Sequence, residues 1–208
     1  MKELKIRVTT TEEMLGTAPA DPEIYKNWIA SNAPETADTT EEIKAVEDAA
    51  ETEEEDNGIK SMTVFPRVNG QPIMWDYQWK GFFKDACASL RKVPDTKSSK
   101  IKAFKKEIDG LIFVVERVIP ITFEGEIGVC QRPLRAQTAQ GERVALAISE
   151  AIPAGAVMEF TIRCLLDAHM DAVKEWLNYG LLRGIGQWRN ASKGRFTYEV
   201  IEEKKLAA

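Results

Sequence analysis

The chain has 208 residues, of which 44% are hydrophobic and 29% charged, a balance that suits a globular domain with a core of its own. The longest apolar run is Leu111 to Val115, far short of the roughly 20 residues of a membrane helix, and the N-terminal MKELKIRVTT lacks the apolar centre of a signal peptide. Three dispersed cysteines, Cys87, Cys130 and Cys164, argue against a disulfide framework or a zinc site and for a reducing, cytoplasmic setting. A single histidine, His169, excludes sites that need two imidazoles and reads as a surface residue at a helix start.

The net charge of −5 hides an asymmetry. Residues 35–56 hold eleven acidic side chains against Lys44 alone, so this segment carries −10 and the remaining chain +5. A mildly basic body with an acidic insertion points weakly toward a polyanionic partner.

In chain order, LKIRVTT (4–10) alternates Leu4, Ile6 and Val8 on one face and predicts a half-buried strand. Residues 17–60 contain Pro19, Pro22, Pro34 and the acidic run, and read as an insertion, mobile or forming a solvated helix. Asn69-Gly70 marks a hairpin turn. Trp79, Phe82, Phe83, Ala86, Cys87 and Leu90 form one helical stripe with Asp76 as the expected N-cap, and Lys80, Lys84 and Arg91 share a second stripe. Residues 92–106 read as a basic linker, and 111–121 as one buried strand.

Beyond a polar loop, Val144, Leu146 and Ile148 alternate, then Met158, Phe160, Ile162 and Cys164, with IPAG (152–155) as the turn of an expected hairpin. A helix with Met170, Val173, Leu177 and Leu181 on one face should start at Asp167. It leads into GLLRGIGQWRNASKGRF (180–196) and a closing strand. With the hairpin arm (130–165) set aside, the order is β-α-β-β-α-β. The expected fold class is therefore α+β, a ferredoxin-like (RRM-like) sheet with two helices on one face, the other face open, and one domain over 1–208.

The glycine-rich segment carries the chemistry. Gly180, Gly184, Gly186 and Gly194 alternate with Arg183, Gln187, Trp188, Arg189, Lys193 and Arg195, with no acidic residue before Tyr198. Glycines allow close approach to a phosphate, cations supply charge, and a tryptophan can stack on a base. A tight helix-to-strand connection with Trp188 buried explains the glycines equally well. Neither GxGxxG nor a P-loop is matched.

Four segments in order resemble the RAMP superfamily (repeat-associated mysterious proteins), the RNA-binding subunits of CRISPR effector complexes, and among these the repeating backbone subunit. They are LKIRVTTTEEMLG, NGQPIMWDYQWKGFFKDACASLR, RAQTAQGERVALAISEAIPAGAVMEFTI and the glycine-rich loop. Trp79-Lys80-Gly81 stands at the family's Leu-Lys-Gly position, whereas Trp75-Asp76-Tyr77-Gln78 replaces its Pro-Gly-Ser-Ser turn. The resemblance implies a non-catalytic scaffold that binds RNA or another single-stranded nucleic acid. It also implies partners in other copies of itself and in other effector-complex subunits, with no membrane and no cofactor, as in antiviral defence.

Carried over by position, the implied binding residues are Lys80, Lys84, Arg132, Arg135, Arg143, Gln187, Trp188, Arg189 and Lys193. Two alternatives remain open. One is a metal-dependent endoribonuclease of the same family, with Asp21 or Asp38 as candidates. The other is an interaction module or inhibitor whose acidic segment imitates nucleic acid.

Overall fold

The computed structural model describes residues 1–21, 62–138 and 141–206, and side chains throughout except at 134–145. The acidic run, Asp38 and the side chains of Arg135 and Arg143 lie outside the described residues. The strands are β1 (Lys2–Thr10), β2 (Met14–Leu15), β3 (Ala18–Pro19), β4 (Met62–Val64), β5 (Arg67–Val68), β6 (Gln71–Trp75), β7 (Ile112–Val114), β8 (Val118–Pro120), β9 (Gly128–Thr138), β10 (Gly141–Ile152), β11 (Val157–Cys164) and β12 (Phe196–Lys205). The helices are α1 (Asp76–Leu90), α2 (Phe104–Leu111) and α3 (Asp167–Tyr179). The protein is mixed α+β with antiparallel sheets, and the chain forms two compact units: Met1–Met14, Met74–Glu124 and Ala154–Ala208 make the first, Leu15–Ile73 and Gly125–Pro153 the second.

In the first unit a four-stranded antiparallel sheet runs β12-β1-β11-β7. Strand alternation sets its two faces. Leu4, Ile6, Val8 and Thr10 of β1 are buried, as are Met158, Phe160, Ile162 and Cys164 of β11. Helices α1 and α3 cover that face. The Trp79 ring lies 4.4 Å from Phe160 and 5.4 Å from Phe196, and Phe83 lies 5.8 Å from Trp176 of α3. Trp79, Phe82, Phe83, Phe160, Trp176 and Phe196 are each at most 1% exposed. Truncating any of them costs about 3–5 kcal/mol.

Several local expectations change. The N-cap of α1 is Trp75, whose N–H donates to Gln78 Oε1 at 2.8 Å. Asp76 is already helical and pairs with Arg117, whose guanidinium lies over Trp75 and Tyr77 at 5.1 and 5.4 Å from the ring centroids. Residues 92–106 are not a plain linker. They hold a 3-10 turn and the start of α2, and the Glu175 carboxylate accepts from the Lys97 N–H at 2.7 Å and the Ser98 N–H at 3.1 Å. The apolar stretch 111–121 splits into β7 and β8, because Glu116 leaves the strand to accept from the Thr161 N–H at 2.6 Å and hydroxyl at 2.8 Å.

In the second unit β10 pairs antiparallel with β9 and parallel with β4, and β4 pairs with β3. The long hairpin is thus β9–β10, whereas β11, expected as the partner of β10, pairs with β1 and β7. The Asn69-Gly70 turn closes β5 onto β6, both residues at positive φ (52° and 76°), as a type I′ turn requires. A buried ion pair ties this unit together. Glu150, 1% exposed, pairs with Arg67 and also accepts from the Phe65 N–H at 2.7 Å.

Candidate nucleic-acid interface

The glycine-rich loop leaves α3 at Gly180. A side chain there would meet the Phe196 ring at 2.4 Å, so only glycine lets the first residue of β12 pack under the helix end. The loop then closes on itself: the Ile185 N–H donates to Gly194 O at 2.9 Å, and Gly194, at φ 67°, donates to Glu13 O at 2.8 Å. A Cβ at Gly194 would lie 1.9 Å from Ile185 O. These two glycines serve the backbone closure, which is the purely architectural account of the motif.

The closure brackets the middle of the loop between Gly186 and Gly194. Gln187, Trp188 and Arg189 are all half-buried. Trp188 adopts φ 56° and ψ 33° and leads a 3-10 turn over Arg189–Ala191. A left-handed bulky residue is uncommon and costs roughly 1–2 kcal/mol relative to the right-handed region. Trp188 is therefore neither the core residue nor the fully exposed platform that the sequence leaves open.

Four cations of this region, Arg183, Arg189, Lys193 and Lys84, meet a carboxylate. Arg183 and Arg189 both reach Oδ2 of Asp85 on α1, Arg189 at 3.2 Å. Arg183 also donates to Asn190 Oδ1 at 2.6 Å, and Lys193 pairs with Glu13. On α1, Lys84 pairs with Asp109 of α2 at 2.6 Å. Lys80 donates to Asp109 O at 3.2 Å and sits 4.6 Å from the centre of the Phe113 ring. Burial pushes the Lys80 ammonium below its ordinary range, against the opposing pull of Asp109 and Asp76.

A helical step of about 100° separates Lys84 from Asp85. Lys80 and Lys84 thus face α2 while Asp85 holds the loop, and the two lysines do not share one cluster with Arg189 and Lys193. Arg132 belongs to β9 in the second unit, half-buried. Arg183 and Asp85 complete the loop cluster and were not among the expected site residues. Arg183 stands inside the glycine motif, but nothing in the sequence signals Asp85 as its partner.

The uncovered sheet face is charge-balanced rather than basic. Arg7 pairs with Glu159 at 2.7 Å and Arg163 with Glu3 at 2.6 Å, beside the partly exposed Phe113 and Val115. His169 is not at the surface: it is 6% exposed, and Nε2 lies 3.0 Å from Glu107 Oε2, tying α3 to α2. It borders a cavity of about 310 Å³ lined also by Lys97, Lys100, Glu107 and Asp171. Among the described residues no group of three or more His, Cys, Asp or Glu side chains is arranged to hold a metal, and no helix is long and apolar enough to cross a membrane. Asp21 is described and half-buried.

No family model matches the sequence, and no curated protein matches it. Among solved structures, the chain is similar to a subunit of a type III-B Cmr-beta complex bound to cognate target RNA, with 11% identity and a TM-score of 0.48. That match covers 98% of this chain and 60% of the other, so the chain spans less than two thirds of that subunit's length. It is also similar to a subunit of a type IV-B CRISPR complex, with 10% identity, a TM-score of 0.46, and coverage of 100% of this chain and 93% of that one.

Proposed function

We propose that this protein is a non-catalytic subunit that binds single-stranded RNA, of the kind that forms the repeating backbone of CRISPR effector complexes. The observation that carries the reading is the glycine-rich loop. Backbone closure at Gly180 and Gly194 holds a short loop in which Gln187, Trp188 and Arg189, all half-buried, follow Arg183 and precede Lys193. A partly exposed tryptophan in a loop that also carries arginines and a lysine combines the two residue types that base stacking and phosphate contact need.

The ordered motifs of the sequence support the same family. So does the strand order of the first unit: the sheet β12-β1-β11-β7, with α1 and α3 as crossovers, is the arrangement expected of a ferredoxin-like domain. Lys80, Lys84, Arg132, Arg135 and Arg143 are proposed as further phosphate contacts, and copies of the chain are proposed to line up along one strand.

The test is purification in low salt. The absorbance ratio at 260 and 280 nm is read together with the size-exclusion mass, and the affinity for a short single-stranded RNA is measured across a salt series. Co-purifying nucleic acid and an affinity that falls steeply with salt support the reading. A clean monomer with no salt-dependent binding removes it.

A further inference from the structure

Arg183 and Arg189 are six residues apart in a loop, yet both guanidinium groups converge on one oxygen, Oδ2 of Asp85. Two planar cations around one oxyanion is the geometry with which arginines take phosphate as readily as carboxylate. The cluster is reachable: the side chains of Arg183, Arg189 and Asp85 are 29%, 33% and 27% exposed. It keeps a net positive charge, since one carboxylate faces two arginines. It is also built to persist without Asp85, because the Ile185–Gly194 closure and the Arg183–Asn190 hydrogen bond hold the loop independently. Partly exposed ion pairs of this kind exchange partners at small cost.

We propose that Arg183 and Arg189 form an oxyanion fork for one backbone phosphate of a single-stranded nucleic acid, and that Asp85 occupies the fork in the free protein as an intramolecular competitor. The inference rests on the RNA-binding reading above and adds to it a specific phosphate subsite and a built-in brake. Weakly bound strands do not displace the carboxylate. A strand that also engages Trp188 and neighbouring cations does.

The test compares the full chain with Asp85→Asn and with Asp85→Asn/Arg183→Ala. A short single-stranded RNA is titrated by fluorescence anisotropy over a salt series. Inorganic pyrophosphate is titrated separately while the arginine Nε–H resonances are followed by NMR. Asp85→Asn should bind RNA about two- to fivefold more tightly, with a log–log salt slope close to that of the unsubstituted protein, because the strand takes the same phosphate contact in both. Adding Arg183→Ala should abolish the gain. Pyrophosphate should shift the Arg183 and Arg189 resonances in the unsubstituted protein, a readout that needs no variant to fold.

If RNA binds the unsubstituted protein but Asp85→Asn binds it equally or more weakly, the brake is refuted and the RNA-binding reading stands. If neither protein binds RNA while pyrophosphate still moves both arginines, the nucleic-acid ligand is refuted and the RNA-binding reading falls with it. If neither ligand has an effect, both are overturned.

Discussion

Replacing Trp188 by glycine separates what this residue does for the fold from what it does for a ligand. Trp188 is half-buried with φ 56°. Full burial of a large apolar side chain stabilises by about 1.5–3 kcal/mol, so half burial contributes on the order of 1–1.5 kcal/mol. Glycine forfeits that packing but relieves the left-handed strain, roughly 1–2 kcal/mol. The two terms nearly cancel, and Trp188→Gly should melt within about 2–4 °C of the unsubstituted chain. Trp188→Ala loses the packing and keeps the strain, so it should melt lower than the glycine variant. Both should lose roughly 1–3 kcal/mol of RNA affinity if the ring stacks on a base. Differential scanning fluorimetry and anisotropy titration read the two quantities on the same samples. A glycine variant that melts well below the alanine variant, or that binds RNA unchanged, would refute the reasoning.

Arg189→Ala removes one partly exposed pair with Asp85, so stability should change by less than about 1 kcal/mol; the RNA salt slope should flatten by about 0.7, and an unchanged slope counts against a phosphate contact. Glu150→Ala strands the buried Arg67 guanidinium and should destabilise by about 3–5 kcal/mol in urea titration; a loss below 1 kcal/mol would show that water reaches the pair. Burial pushes the Cys164 thiol up to about 12 and also raises Cys87, while Cys130 is half-buried on β9. A raised thiol stays protonated and unreactive at pH 8. A disulfide reagent should therefore label Cys130 in the folded protein and reach the other two only in denaturant, and rapid labelling of three thiols would contradict the burial.

Much of the first unit was legible in the sequence because its signals are local. The two-residue alternation of Leu4, Ile6 and Val8, and of Met158, Phe160, Ile162 and Cys164, places those side chains on one face of any strand they form. The same holds for the stripe from Trp79 to Cys87 on α1, and in the second unit the left-handed tolerance of Asn69-Gly70 fixes a turn without distant help. The loop residues Gln187, Trp188 and Arg189 were legible as a composition, but not as a geometry.

Only the tertiary structure decided the partners. A strand's backbone groups are satisfied by any neighbour in register, so the alternation in β10 and β11 was compatible with a shared hairpin; the fold instead gives β9 to β10, and β1 and β7 to β11. His169 could be placed beside Glu107 only once α2 packed against α3, and the sequence had left it at the surface. Asp85 lies 98 residues from Arg183 and 104 from Arg189. Periodicity reports which face a side chain takes on its own element, whereas the charge it meets is set by chain closure over such distances, which no local pattern encodes.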